Sequence, residues 1–328
     1  MNLGGIIYLN KTSIGIFSGA LLFLFLYMTS YKNDLNNVKL NRSNKINMHK
    51  LLNIAIKAAE NGGREVIQSK DNINIQKKGL TKEGLIDSVT TADFLSHCAM
   101  MRTLEHFYPS LKIVSEEAKT RCHKNQYVDL SLPISVDENE SVEFIEEDVT
   151  VWIDPLDATY EYTEKLYKYV TVMVCVAVKG KPIIGVIHKP FDKSTSWAWV
   201  NTSKSKDLYG QVHNKDEDIL KIIISRSHKG QIEEVLHKNF NNKIQLVIAA
   251  GAGYKALEVA KGNVDAYLHI TAIKKWDICA GNAIINALGG KMTTKYNEEI
   301  DYSNGDNVKI ENGLIATMRN HNLFLEKL

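Results

Sequence analysis

The chain has 328 residues, 44% of them hydrophobic, with 40 Lys and Arg against 38 Asp and Glu for a net charge of +2. That length leaves room for one large domain or two smaller ones with a sizeable core, and the near balance of charge, without a Lys/Arg tract or basic-aromatic stripe, argues against nucleic acid as a partner. The cysteines, Cys98, Cys122, Cys175 and Cys279, are widely spaced with no Cys-x-x-Cys, which argues against a zinc site or a dense disulfide framework; buried free thiols are expected, with one isolated bridge left open.

The amino terminus differs from the rest. Ser13–Met28 is uncharged and rich in Ile, Leu, Phe, Gly and Ala, and Leu3–Leu9 extends the apolar region backwards across Asn10, Lys11 and Thr12. A bilayer span needs ~20 mostly apolar residues. Phe25-Leu26-Tyr27-Met28 is too bulky for the small-x-small site of a cleaved signal peptide, so residues 1–30 are read as an uncleaved signal anchor. Residues 31–47, rich in Asn, Lys and Ser, read as a stalk. Lys11 precedes the apolar run, and Lys32, Lys39, Arg42 and Lys45 follow it, so the positive-inside rule places the body in the cytoplasm. The sequons beginning at Asn41, Asn139 and Asn201 would permit a lumenal body instead.

From Met48 to Gln68, Leu51, Leu52, Ala55, Ala59 and Val66 recur at helical spacing and predict an amphipathic helix. Phe94–Tyr108 reads as a second helix ended by Pro109, and Leu111–Val114 as a short strand leading into Ser115-Glu116-Glu117. Ala118–Asp148, polar and acidic towards its end, is expected to be a surface insertion. Val149–Ile153 ends as a buried strand. Tyr169–Val178 and Pro182–His188, separated by Lys179-Gly180-Lys181, form a hairpin signal. Lys204–Glu217 reads as a loop between a half spanning 48–203 and a half spanning 204–328. In the second half, strands are expected at Leu220–Ser225, Ile244–Ala249 and Val264–Ile270. Helices are expected near Gln231–Phe240, from Gly251 to about Lys261, and at Trp276–Leu288 before Gly289-Gly290. This alternation predicts a layered α/β architecture.

Chemistry concentrates in carboxylates at the junctions between these elements. Asp154-Pro155-Leu156-Asp157-Ala158-Thr159 sets two carboxylates and a hydroxyl at the end of a strand. Asp93 closes Asp87-Ser88-Val89-Thr90-Thr91-Ala92-Asp93, Glu116 follows a strand, and Asp277 opens a helix. Acids near helix starts also serve as caps, which accounts for Asp93 or Asp277 singly but not for Asp154, Asp157 and Glu116 together. Carboxylate oxygens are the donors that hard cations such as Mg²⁺ take, commonly alongside substrate phosphate.

These four motifs, Asp-Ser-Val-Thr-Thr-Ala-Asp, Ser-Glu-Glu, Asp-Pro-Leu-Asp-Ala-Thr and Trp-Asp-Ile-Cys-Ala, resemble in kind and order those of the lithium-sensitive, Mg²⁺-dependent inositol monophosphatase superfamily. The resemblance runs from Met48 to the carboxyl terminus. It implies an αβαβα sandwich, here preceded by one transmembrane helix, with two or three Mg²⁺ ions and inhibition by Li⁺. It implies Glu116, Asp154, the Leu156 carbonyl, Asp157 and Asp277 as metal ligands, and Asp93 with Thr159 as the pair that activates water. Ser225-Arg226-Ser227-His228 and Gly251-Ala252-Gly253-Tyr254-Lys255 resemble the nucleotide-binding segments of 3′-phosphoadenosine 5′-phosphate phosphatases. Ser225, His228, Gly251 and Lys255 are therefore expected to contact a nucleotide, with Lys255 on its 5′-phosphate and His228 or Tyr254 near adenine.

Ala158, where most members have Gly, the amino-terminal anchor, Lys-Tyr-Val-Thr and Gly-Val-Ile-His-Lys-Pro are similar to a Golgi-resident branch. That branch implies a single-pass type II protein with a lumenal body, against the flanking charges, and the family tendency adds a possible homodimer. The expected reaction is hydrolysis of the 3′-phosphate of adenosine 3′,5′-bisphosphate to AMP, in support of Golgi sulfation. The competing functions are inositol monophosphate hydrolysis on the same scaffold and a catalytically silent nucleotide-binding protein.

Overall fold

The computed structural model describes residues 21–30, 44–80, 86–122, 126–132, 142–209, 219–226, 232–240 and 243–328. Residues 21–30 are helical, and Leu21, Leu22, Phe23, Leu24, Phe25, Leu26, Tyr27 and Met28 are all exposed. The first part of the expected span, and most of the stalk, lie outside the described residues. Among the described residues no helix is long and apolar enough to cross a membrane. Ile46–Leu328 forms a separate compact unit.

That unit opens with α1 (Met48–Ser69), whose Asn47 side chain accepts from Lys50 N at 2.9 Å as an N-cap. A hairpin of β1 (Ile75–Leu80) and β2 (Ile86–Thr90) leads into α2 (Thr91–Phe107). The second helix starts three residues before its expected start. Thr90 caps it, and Asp93, at the third helical position, returns its carboxylate to the Thr90 amide. Then come β3 (Lys112–Ser115), β4 (Val149–Asp157), α3 (Thr159–Thr163), β5 (Thr171–Val178), β6 (Lys181–Lys189), β7 (Ser194–Trp199) and β8 (Ser203–Lys204). They form a six-stranded sheet ordered β8-β7-β6-β5-β4-β3, parallel only between β3 and β4. Lys179 and Gly180, both at positive φ, turn the β5–β6 hairpin as its sequence predicted.

The second half supplies β9 (Leu220–Ser225), α4 (Ile232–Asn239), β10 (Ile244–Ala249), α5 (Ala252–Ala260), β11 (Ala266–His269), α6 (Lys275–Ala287), β12 (Lys291–Thr294), β13 (Leu314–Thr317) and α7 (His321–Lys327). Its five-stranded sheet runs β10-β9-β11-β13-β12.

Strand periodicity explains the layers. Successive side chains point to opposite faces, and every residue of β5 is buried. Val172, Val174 and Val176 enter a core with Leu51, Ala55, Met100 and Leu104 of α1 and α2. Met173, Cys175 and Ala177 enter another, with Ala256 and Leu257 of α5 and Ala280, Ala283 and Ile284 of α6. The same central core takes Ile223, Tyr267 and Ala316 from the second sheet, whose far face, with Ile222 and Ile224, packs on Leu236 of α4 and Phe324 of α7. The order is therefore helices, sheet, helices, sheet, helices. A Cβ at Gly185 on β6 would collide with the Ala280 carbonyl, so this glycine is what lets α6 lie against the sheet.

The cysteines correct the expectation of free thiols: all four are paired. Cys175 points into the central layer opposite Cys279 of α6, at a Cα–Cα distance of 5.6 Å, and the two are bonded. Cys98 of α2 is bonded to Cys122, with a Cα–Cα distance of 5.3 Å. The described part of the insertion is accordingly pinned down. Beside that bridge, Lys57 Nζ meets Asp129 Oδ2 at 2.6 Å, Asn61 donates to the Asp129 carbonyl at 2.9 Å, and Arg102 donates to the Gln126 carbonyl. Replacing both Cys175 and Cys279 with Ala is expected to cost about 2–5 kcal/mol, read from denaturant melts of the oxidised proteins.

Candidate active site

The Asp-Pro-Leu-Asp turn is a strand irregularity with a purpose. Asp154 is opposite Met173 and Asp157 is opposite Thr171, so three steps on β4 match two on β5. The extra residue is a β-bulge. Without it, residues three apart would point to opposite faces; with it, Asp154 and Asp157 project from the same one. The Asp154 carboxylate accepts from Leu156 N at 3.1 Å across the turn.

Other carboxylates join from separate elements. Glu116 lies just past β3, its amide bonded to the Ile153 carbonyl at 3.4 Å. Asp277 sits in the first turn of α6 and accepts from Lys274 N at 3.0 Å. Asp93, in the first turn of α2, is 1% exposed; its Oδ2 accepts from Thr90 N at 2.7 Å and from Thr90 Oγ1 at 2.6 Å. The Thr159 hydroxyl lies 3.0 Å from both Asp93 Oδ1 and the Leu156 carbonyl. Having one proton, it donates to one of them at a time.

The electrostatics follow from this crowding. Burial, and then the charges of Glu116, Asp157, Asp277 and Asp93, push the Asp154 carboxyl well above its ordinary range. Burial and then Glu116 and Asp157 do the same to Asp277. Burial raises Asp93 to about 6 even though the Thr90 and Thr159 hydrogen bonds favour its ionised form. Among the described residues, no three or more His, Cys, Asp or Glu side chains are grouped closely enough to hold a metal ion as they stand. The fit to a hard divalent cation rests on donor chemistry: Asp154 and Asp277 are buried and raised by the charges of Glu116 and Asp157, so these carboxylates lie within reach of one another's charge.

Asp157 is held differently. Its Oδ1 accepts from Ala252 N at 3.1 Å, and its Oδ2 from Gly253 N at 2.8 Å and Thr171 Oγ1 at 3.0 Å. Gly251, at φ +68°, permits this grip, since a Cβ there would lie 2.6 Å from the Tyr169 carbonyl. Gly251-Ala252-Gly253 thus anchors a site carboxylate. Lys255, expected on the nucleotide's 5′-phosphate, is 2% exposed, and its Nζ donates to the Gly251 carbonyl at 2.6 Å. Burial lowers it to about 8, against the pull of Asp157, Glu161 and Asp277. This i to i−4 contact within one helical turn holds the buried ammonium against the Gly251 carbonyl. Ser225 ends β9 and is 7% exposed; His228 lies outside the described residues.

Ala158 adopts φ 69°, ψ 46°, the left-handed region that disfavours a Cβ. Ala158→Gly is expected to raise stability by up to about 1 kcal/mol, partly offset by the freer unfolded chain; thermal melts of the two proteins check it.

Sequence reasoning passed over several residues that the structure brings to the site. Thr90 and Thr171 lie inside the motifs, where a hydroxyl carries no signal of its own, and they bond Asp93 and Asp157. His97, lowered to about 4 by burial, bonds through Nδ1 to Ser115 Oγ at 2.8 Å and so joins α2 to the strand end before Glu116. Only the i to i+4 relation of Asp93 and His97 hinted at it.

A layered α/β fold with a buried acidic centre where strands end and helices begin is that of a phosphate-ester hydrolase. Residues 47–328 match the inositol monophosphatase family, and the chain belongs to it as a phosphatase. Among similar proteins, the Golgi-resident adenosine 3′,5′-bisphosphate 3′-phosphatase of Rattus norvegicus is 43% identical over 295 residues, covering 86% of this chain and 82% of that one. Inositol monophosphatase 3 of Xenopus tropicalis is 42% identical over 295 residues, covering 86% and 81%. Among solved structures, an IMPase of Thermotoga maritima superposes with a TM-score of 0.64 at 19% identity, over 85% of this chain and 96% of that one. An IMPase/NADP phosphatase complexed with Mg²⁺ and phosphate gives 0.60 at 16% identity, over 81% and 90%.

Proposed function

We propose that this phosphatase removes the 3′-phosphate of adenosine 3′,5′-bisphosphate, giving AMP and phosphate, with Mg²⁺ as its metal. The observation that carries the reading is the Thr159–Asp93 hydrogen bond of 3.0 Å, beside the Asp154–Asp157 bulge, in a chain 43% identical to a protein named for that reaction. Glu116, Asp154, the Leu156 carbonyl, Asp157 and Asp277 would hold the metal, which when bound supplies an acidified water and neutralises charge on the phosphate. Thr159 orients toward Asp93, and Asp93, ionised above about pH 6, accepts the proton that Thr159 passes on. Asp157, fixed by two amides and Thr171, stays in place while substrate enters. Ser225, at the end of β9, is the nucleotide contact in this reading.

We place the body in the Golgi lumen, anchored through residues 1–30. Two disulfides support an oxidising compartment over the cytosolic side favoured by the flanking charges. The exposed apolar run at residues 21–28 supports the anchor, and the exposed Asn201 sequon is compatible with the lumen. The test is phosphate release by the oxidised full chain with Mg²⁺, using adenosine 3′,5′-bisphosphate and inositol 1-phosphate, with chromatography of the nucleotide product. Preferred turnover of the bisphosphate to 5′-AMP is expected; a clear preference for the inositol ester would overturn the substrate assignment.

A further inference from the structure

One modification signal is left unused by the phosphatase chemistry. Asn201-Thr202-Ser203 has the Asn-x-Ser/Thr form, with a residue other than Pro in the middle, that accepts N-linked oligosaccharide on the lumenal side of the secretory pathway. A triplet alone is a weak signal, so its place in the fold decides. Residues 200–202 form the tip of the hairpin between β7 and β8. The Thr202 amide donates to the Trp199 carbonyl at 3.1 Å, and Ser203 pairs with Trp199 as β8 begins. Asn201 and Thr202 are exposed, and no described residue bonds the Asn201 side chain. An amide outside the core and without a partner can carry a large solvated group at no cost in lost contacts.

The plain structural reason for an asparagine here is its backbone. At φ 58° residue 201 occupies the left-handed region, which Asn and Gly tolerate better than other residues. That accounts for position 201 alone. It asks nothing of position 203, which sits in ordinary antiparallel pairing and is only partly buried. The hydroxyl at 203 is what the acceptor signal requires.

The hairpin is also clear of the acidic centre. Thr171, which bonds Asp157, lies five positions along β5 from Val176; Val176 pairs with Ile184 on β6, and Ile184 with Trp199 on β7. At about 3.4 Å per residue, that sets Trp199 roughly 17 Å along the sheet from the level of Thr171. The tip lies beyond Trp199, further from the site.

We propose that Asn201 carries an N-linked glycan, held at the end of the sheet away from the acidic centre. The inference rests on the lumenal placement above, because the sugar donor is used on that side. In the transfer, Asn201 Nδ2 bonds to the anomeric carbon of an oligosaccharide carried on a lipid diphosphate. The bond from that carbon to the diphosphate oxygen breaks, the lipid diphosphate leaves with the electron pair, and the amide nitrogen gives up one proton. Nothing is oxidised or reduced, and Ser203 is unchanged.

To test it, the full chain is produced in cells with an N-glycosylating secretory pathway and treated with peptide N-glycosidase in heavy-oxygen water, which marks each asparagine that bore a glycan. Peptide mass spectrometry then reads the mark, and protease protection in sealed microsomes reads the side of the membrane. The Asn201 peptide is expected to carry the mark. Ser203→Ala, which keeps Asn201 and its backbone, should lose it together with one glycan's step in gel mobility, and Ser203→Thr should retain both. The kcat/KM of Ser203→Ala for adenosine 3′,5′-bisphosphate should match wild type; a tenfold fall would overturn the placement away from the site. A protected body with an unmarked Asn201 peptide overturns the glycan and leaves the lumenal placement standing. A body digested in intact microsomes overturns both. The mark on the wild-type peptide decides the matter even if Ser203→Ala fails to fold.

Discussion

Asp154→Asn is expected to lower kcat by about a thousandfold or more, while making the metal-free protein no less stable. The two effects have one origin. Asp154 is 1% exposed and faces Glu116, Asp157, Asp277 and Asp93, so its charge is costly until a cation arrives. An amide keeps the shape and the acceptor for Leu156 N but removes the repulsion. It also removes a ligand charge from a metal that is asked for several kcal/mol of transition-state stabilisation, each 1.36 kcal/mol being tenfold in rate. Asp157→Asn should differ. Asp157 supplies the largest favourable charge acting on buried Lys255, ahead of Glu161 and Asp277, and accepts from Ala252 N, Gly253 N and Thr171. Neutralising it removes the largest favourable charge from a buried cation and weakens the grip of the Gly251–Gly253 turn, so activity and stability should fall together. Thermal melts in chelator, beside phosphate-release rates, separate the two; a destabilised metal-free Asp154→Asn protein would contradict the account.

The metal-free protein is also expected to lose stability as pH rises from about 4 towards neutrality, opposite to a protein whose carboxylates are paired. The sign follows from linkage. Asp93 is raised from 3.8 to about 6, and Asp154 and Asp277 are raised as well, chiefly by burial. Between the unfolded and folded values the folded state holds protons that the unfolded chain has released, so stability falls as pH rises. Stability linked to Asp93 is therefore complete below about 3.8 and is lost as pH passes through about 6, on the order of 3 kcal/mol. A divalent cation should flatten the trend, because it replaces the protons as the partner of the cluster and binds only the folded state. Melting temperatures at pH 4.5, 6 and 7.5, in chelator and in Mg²⁺, measure this; equal slopes with and without metal would count against a metal site at these carboxylates.

Much of the scaffold could be read in advance because local signals agreed with tertiary needs. Lys179-Gly180 could only turn a hairpin, and the spacing of Leu51, Leu52, Ala55 and Ala59 matched the face that α1 buries. The strand Ser194–Trp199 was not anticipated, since Ser and Thr at its start carry no core signal and its place is set by pairing with β6. Leu314–Thr317 and Lys291–Thr294 are similarly short, and the second sheet defines them. The disulfides lay beyond reach because partners 24 and 104 residues apart meet only through α2 and the central helix layer. Within the site, the motifs named which carboxylates belong together. They could not say that a bulge aligns Asp154 with Asp157, or that the Lys255 ammonium is buried against the Gly251 carbonyl. Those depend on register and helix phase, which single motifs do not carry.

The central claim is that these buried carboxylates work as a divalent-metal centre for phosphate-ester hydrolysis. The most direct measurement is phosphate release from adenosine 3′,5′-bisphosphate by the chelator-treated full chain as Mg²⁺ is titrated back. The account predicts no turnover without the ion and saturable recovery with it; full turnover in chelator would contradict it.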